Sequence, residues 1–159
     1  MEAGAAGVVT ESGSPAQRGP ARLNGGMDGR ALFFHITGQT YAGADAAGVA
    51  RIQYPTSLRI VRVMCSGMVH PNLVINALTK GADGVLIMGC HIGDCHYQEG
   101  NLKAEKRAEA IKLMLDDFGI ENERFRLEWV SAAEGPRFAQ VVTEFTEQVK
   151  QLGPSPYKT

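Results

Sequence analysis

The chain has 159 residues, enough for a single domain with a hydrophobic core. Apolar residues make up 44% and charged residues 21%, and the formal net charge is −1, so no bulk attraction to nucleic acid or an anionic membrane is expected. No apolar run approaches the roughly 20 residues that span a bilayer, which predicts no membrane insertion. Three cysteines argue against a disulfide framework and for reduced thiols in a cytoplasmic setting.

Residues 1–30 are rich in Gly, Ala, Ser and Pro and show neither the helical nor the strand period. They read as a disordered extension with no secretory signal, and Met27 is an alternative start. Strand and helix signals then alternate. "ALFFHI" (31–36) reads as a strand, "AGADAAGVARI" (42–52) as a helix and "LRIVRVM" (58–64) as a strand. "HPNLVINALTKG" (70–81) is a helix, with His70 at its entry, Pro71 at its first position and Gly81 past its end. "GVLIMG" (84–89) is apolar throughout, as in a strand covered on both faces.

The helix over 101–119 carries Ala104, Ala108, Ile111, Leu115 and Phe118 on one face, with Gly119 closing it. "RFRLEWV" (124–130) is a strand. The helix over 135–153 buries Phe138, Val141, Val142, Phe145, Val149 and Leu152, and a loose tail is expected over 154–159. The expected fold is α/β: a mostly parallel four-stranded sheet with helices on both faces, a flavodoxin/Rossmann-like three-layer sandwich. Sites in such folds collect beyond the carboxyl ends of the strands.

The cysteines follow that rule. Cys65 follows the second strand, and Cys90 and Cys95 follow the third, within "GCHIGDCHY". If those two strands are neighbours, the three thiols converge. Gly67, Gly89 and Gly93 surround them, and glycine lets backbone N–H groups approach a bound sulfur. The plain alternative is that buried cysteines only fill space, and C-x4-C is not by itself a strong metal signature. "CSG" (65–67) is also placed to lower a thiol pKa at a helix approach. His91 and His96 each read as a ligand, a proton shuttle or a backbone hydrogen-bonding group, with a structural or exposed histidine as the plain alternative, and His35 near the end of the first strand is a candidate ligand. Trp129 reads as core or interface, and Glu134 either faces the site or begins the last helix. No dinucleotide fingerprint or P-loop is present.

"TYAGADAAGVARIQYP", "RIVRVMCSG", "KGADGVL", "GCHIGDCHY", "GNLKAEKRAEAIKLML" and "RLEWVSAAEG" together resemble the delta subunit of methyl-viologen-reducing hydrogenase (MvhD), across residues 31–153. The resemblance implies a non-catalytic electron-transfer subunit with a 2Fe–2S cluster. Its implied partners are hydrogenase or formate dehydrogenase subunits on one side and a heterodisulfide-reductase-like flavoprotein on the other. By motif, Cys65, Cys90 and Cys95 match family cysteines and are implied iron ligands. The family's C-x-x-C pair before Tyr-Ala-Gly-Ala-Asp is absent, and Ile36 and Gln39 stand in its place.

A 2Fe–2S centre takes four protein ligands, so three readings stay open. His35 supplies the fourth ligand, the site is degenerate, or the local sequence carries a reading-frame error. The rival functions are a cluster-free adapter that docks the flavoprotein, and a thiol enzyme using Cys65 or the Cys90/Cys95 pair.

Overall fold

The computed structural model describes residues 32–157, with β1 and the start of α1 (to 39) described by their backbone. The expected extension over 1–30 lies outside them. In chain order the elements are β1 (Leu32–Thr37), α1 (Gly38–Val49), β2 (Leu58–Val63), α2 (Pro71–Thr79), β3 (Gly84–Gly89), α3 (Gly100–Asp117), β4 (Phe125–Trp129) and α4 (Gly135–Leu152). A single 3-10 turn, Ser66–Met68, lies between β2 and α2. The strands pair in the order β2-β1-β3-β4, and every pairing is parallel.

The helix boundaries have local causes. His70 caps α2, its Nδ1 accepting from the Asn72 N–H at 3.3 Å, and Pro71 occupies a position that needs no N–H partner. At the end of α3, Gly119 has φ +64, Gly119 N–H reaches Asp116 O (3.1 Å) and Ile120 N–H reaches Leu115 O (2.9 Å). That paired reversal uses the left-handed backbone that glycine adopts without a Cβ penalty.

β3 is buried along its whole length, and its side chains alternate between two cores. Leu86 and Met88 pack with Ala47, Phe138, Val142 and Phe145 of α1 and α4. Val85 and Ile87 pack with Val74 and Leu78 of α2 and with Ile111 and Leu115 of α3. A continuous apolar run is what a strand needs when helices cover both of its faces. Removing one of these side chains, as in Leu86→Ala, costs about 2–5 kcal/mol in transfer and cavity terms.

Three expectations need correction. The second and third strands are not neighbours, because β1 lies between them. Phe118, expected on the buried face of α3, is the helix cap and is exposed. The segment after Gly153 is held rather than loose through residue 157. Ser155 is buried and its N–H donates to Asp83 Oδ1 (3.0 Å), Arg124 Nη2 donates to Pro154 O (3.1 Å), and Tyr157 Oη donates to Phe118 O (2.8 Å).

Candidate metal centre

The crossover direction reverses between β1 and β3, since β1 leads to β2 on one side and β3 to β4 on the other. Loops leaving the strands diverge at such a point and open a crevice at the carboxyl edge. All three cysteines are there, and all are free. Cys65 and Cys90 are buried, and Cys95 is partly exposed. Although β1 separates their strands, Cys65 Sγ and Cys95 Sγ are 3.9 Å apart. Two thiolates on one tetrahedral metal with bonds of about 2.3 Å sit about 3.8 Å apart, so this spacing suits a shared metal and excludes an S–S bond.

The convergence depends on the turn after β2. Ser66–Met68 brings the chain from Cys65 against the first residues of α3. A Cβ at Gly67 would lie 2.6 Å from Gly100 O, and one at Gly100 would overlap Cys65 Sγ and come within 3.0 Å of Cys95 Sγ. Glycine at 67 and 100 therefore lets two backbones and two sulfurs share one small volume. Gly89 is equally tight, with Trp129 at 2.7 Å and Ser66 Oγ at 2.8 Å from where its Cβ would be. Gly93, with φ +97, turns the loop between Cys90 and Cys95. Arg107 Nη1 ties the turn to α3 by donating to the carbonyls of Gly67 and Val69.

The thiols differ electrostatically. Burial pushes Cys90 up to about 11, reinforced by the neighbouring Cys95. Burial also raises Cys65, against a hydrogen bond from the Gly67 N–H, so the expected lowering at "CSG" is not found. Cys95 is the lowered thiol. Burial acts upward on it, and the backbone N–H groups of Asn101, Tyr97 and Gly100 together outweigh that. Two of those donors open α3, where unpaired N–H groups stabilise an anion. Among the glycines singled out in the sequence, Gly67 is the one whose N–H reaches a sulfur. The donors to Cys95 escape the sequence reading, and a Gly-Asn pair closing a cysteine loop at a helix start is the signal that points to them.

The histidines split. His91 Nε2 is 2.6 Å from Glu134 Oε2, and the same oxygen accepts from the Ser131 N–H at 2.7 Å. The Ser131 N–H and then His91 hold the Glu134 carboxyl down at about 2. Glu134 therefore both begins α4 and faces the cysteine loop. His96 stacks edge-on against Tyr97 at 5.1 Å. The backbone of His35 is level with Val61 and Ile87, three residues before the level of Cys90, or about 10 Å along the strand.

Among the described residues, no group of three or more His, Cys, Asp or Glu side chains is arranged to hold a single metal ion. A two-iron cluster is a larger body, and other features fit it: three convergent thiols, a glycine cradle and backbone donors aimed at sulfur. Ser66 Oγ adds to them, being fully buried beside Cys65 with no protein hydrogen-bond partner. A buried hydroxyl without an acceptor is costly unless a group at the site satisfies it.

The fold and rim define a parallel α/β domain whose carboxyl edge presents clustered thiols. The sequence family of the methyl-viologen-reducing hydrogenase delta subunit matches residues 31–153, and the chain belongs to that family. It is 53% identical over 115 residues to an iron-sulfur subunit of the F420-non-reducing hydrogenase of Archaeoglobus profundus, covering 72% of this chain and 84% of the relative. It is 50% identical over 119 residues to the iron-sulfur subunit of the vhc F420-non-reducing hydrogenase of Methanococcus voltae, covering 75% of this chain and 83% of the relative. It is also 45% identical over 115 residues to one subunit of the ferredoxin:CoB-CoM heterodisulfide reductase of Methanosarcina mazei, covering 72% of this chain and 14% of that protein. No helix of the described residues is long and apolar enough to cross a membrane.

Proposed function

We propose that the chain is the electron-transfer subunit of a cytoplasmic hydrogenase or formate dehydrogenase/heterodisulfide-reductase-like complex. It would carry a 2Fe–2S cluster and relay electrons to or from a flavoprotein subunit. The observation that carries this reading is the approach of Cys65 and Cys95 to 3.9 Å over a glycine floor. A bound 2Fe–2S cluster supplies reversible one-electron chemistry. Cys65, Cys90 and Cys95 are its proposed ligands, and His35 is the candidate fourth. The N–H of Gly67 and those of Tyr97, Gly100 and Asn101 offset thiolate charge, and the backbone at Gly89 and Gly93 shapes the loop that holds Cys90 and Cys95. The flavodoxin/Rossmann-like three-layer sandwich belongs with this reading. It is supported by the two separate cores on alternate β3 side chains.

Docking to a partner is supported by the rim. Met64, Met68, Ile92, Tyr97 and Leu102 all lie within a few residues of the thiols or at the start of α3, and all are exposed, Met68 by 63%. Exposed large apolar groups concentrated around a site mark an interaction surface. The names of the relatives point to hydrogenase and heterodisulfide reductase subunits as the partners.

The test is iron and acid-labile sulfide content after anaerobic purification, with EPR of the dithionite-reduced protein. About two irons per chain are expected. Serine at any of the three cysteines should lower that content, and unchanged iron in all three variants would sink the assignment. The second reading is a cluster-free adapter. It is favoured by Ile36 and Gln39 in place of the family's cysteine pair. Tight flavoprotein binding by a folded chain that takes up no iron on reconstitution would establish it.

A further inference from the structure

We propose that Asn101 is a positioning residue that ties both ends of the Cys90–Cys95 loop to α3. Asn101 is the second residue of α3 and is fully buried. Its Nδ2 donates to His91 O at 2.6 Å and lies 3.4 Å from Cys90 O. Its Oδ1 accepts from the Leu102 N–H at 2.9 Å. Its own backbone N–H donates to Cys95. One residue therefore fixes the main chain at the entry to the loop through its side chain, and the sulfur at the exit through its backbone.

The geometry explains why an amide is needed. Two carbonyl oxygens face the side chain on one side and a backbone N–H faces it on the other. Only a group with a donor and an acceptor on one rigid plane satisfies both. A leucine removes the bonds to Cys90 O, His91 O and the Leu102 N–H, and leaves His91 O with the Asp94 N–H as its remaining partner. An aspartate keeps the contact with Leu102 and suits the positive end of a helix, but turns an oxygen towards the two carbonyls.

The consequence is a loop set in place before any metal arrives. Gly93 has open space around it and a left-handed backbone, and the Asp94 N–H to His91 O bond (3.0 Å) closes one turn inside the loop. The Asn101 amide adds the link from this loop to the body of the domain. The inference deepens the cluster reading and rests on it for its purpose, whereas its test does not need iron.

The experiment is amide hydrogen exchange on the full metal-free chain under reducing conditions, comparing wild type with Asn101→Ala and Asn101→Asp. Exchange over residues 91–98 should rise about tenfold in both variants, the effect of losing a hydrogen bond that holds a local segment closed. Exchange over 105–115 of α3 should stay at the wild-type rate, which a general helix-stabilising role would not allow. If Asn101→Ala does not fold, Asn101→Asp decides, and failure of both to fold would overturn the proposal by making Asn101 a support of the whole domain. Unchanged loop exchange, or an equal rise along α3, would also overturn it. A wild-type chain that takes up no iron would instead defeat the proposed function and leave the exchange result standing.

Discussion

Arg124 and the cysteine cluster, at opposite ends of β3, are held in opposite ways. At the amino end, Arg124 is fully buried and every direction of its guanidinium is met. Nε donates to Glu121 Oε2 (2.7 Å), Nη1 to Asp83 O (2.9 Å) and Gly153 O (3.0 Å), and Nη2 to Pro154 O (3.1 Å). At the carboxyl end, two thiols are pushed up by burial, Ser66 Oγ has no protein partner, and glycine backbones crowd the sulfurs. A network that satisfies all its members holds a fold together. One that leaves a buried hydroxyl without a protein partner beside raised thiols has the character of a candidate functional site.

Changes at the two ends should separate stability from loading. Arg124→Ala has the largest expected effect on the fold, a loss of about 3–5 kcal/mol in denaturant unfolding, because the carbonyls and the Glu121 partner lose their cation. Iron per folded chain should not change, and equal losses of stability and iron would erase the contrast. Gly100→Ala tests the other end. A methyl there meets Cys65 Sγ and Cys95 Sγ, so metal affinity should fall roughly tenfold or more while far-UV circular dichroism is kept. Normal loading would show that the sulfurs move aside freely.

Alkali gives a finer separation. Cys90 titrates at 9.0 when unperturbed and at about 11 in the folded chain, so the native state holds this proton more tightly than the unfolded state. Its contribution to stability is complete below pH 9 and is lost as pH rises through about 11. The metal-free wild type should therefore lose stability across that window more steeply than Cys90→Ser, as read from unfolding midpoints. Parallel curves would remove burial as the cause of the raised thiol. The smallest effect is expected from Glu134→Gln. Glu134 is held at about 2 by the Ser131 N–H and His91, so its contribution is present above pH 4.5 and fades as pH falls towards 2. Acid unfolding of the glutamine variant should show a slightly shallower pH dependence in that range, and identical profiles would make the His91 contact incidental.

Much of the scaffold is readable from residue order. "GVLIMG" is β3 without a shift in boundary, and Phe138, Val141, Val142, Phe145 and Val149 are the buried stripe of α4. α1 begins at Gly38 rather than near residue 42, because "GQTY" carries no apolar period to announce a helix. The central place of β1 is not legible, since strand order is set by long-range pairing that a local pattern does not encode. For the same reason the sequence suggests that the thiols meet through neighbouring strands, whereas the Ser66–Met68 turn brings Cys65 across. The tail after Gly153 reads as loose for lack of apolar residues, but polar groups hold it: Asp83, Arg124 and Tyr157.

The anchoring of Ser155 to Asp83 has a practical consequence. Asp83 immediately precedes β3 and Cys90 immediately follows it, so the anchor and the thiol rim are about 20 Å apart along the strand. A linker attached beyond Tyr157 would start from the face opposite the thiols. A chain tethered that way to a gold electrode or a sensor chip would be oriented with its thiol rim outward, ready for voltammetry or for capture of a flowing partner.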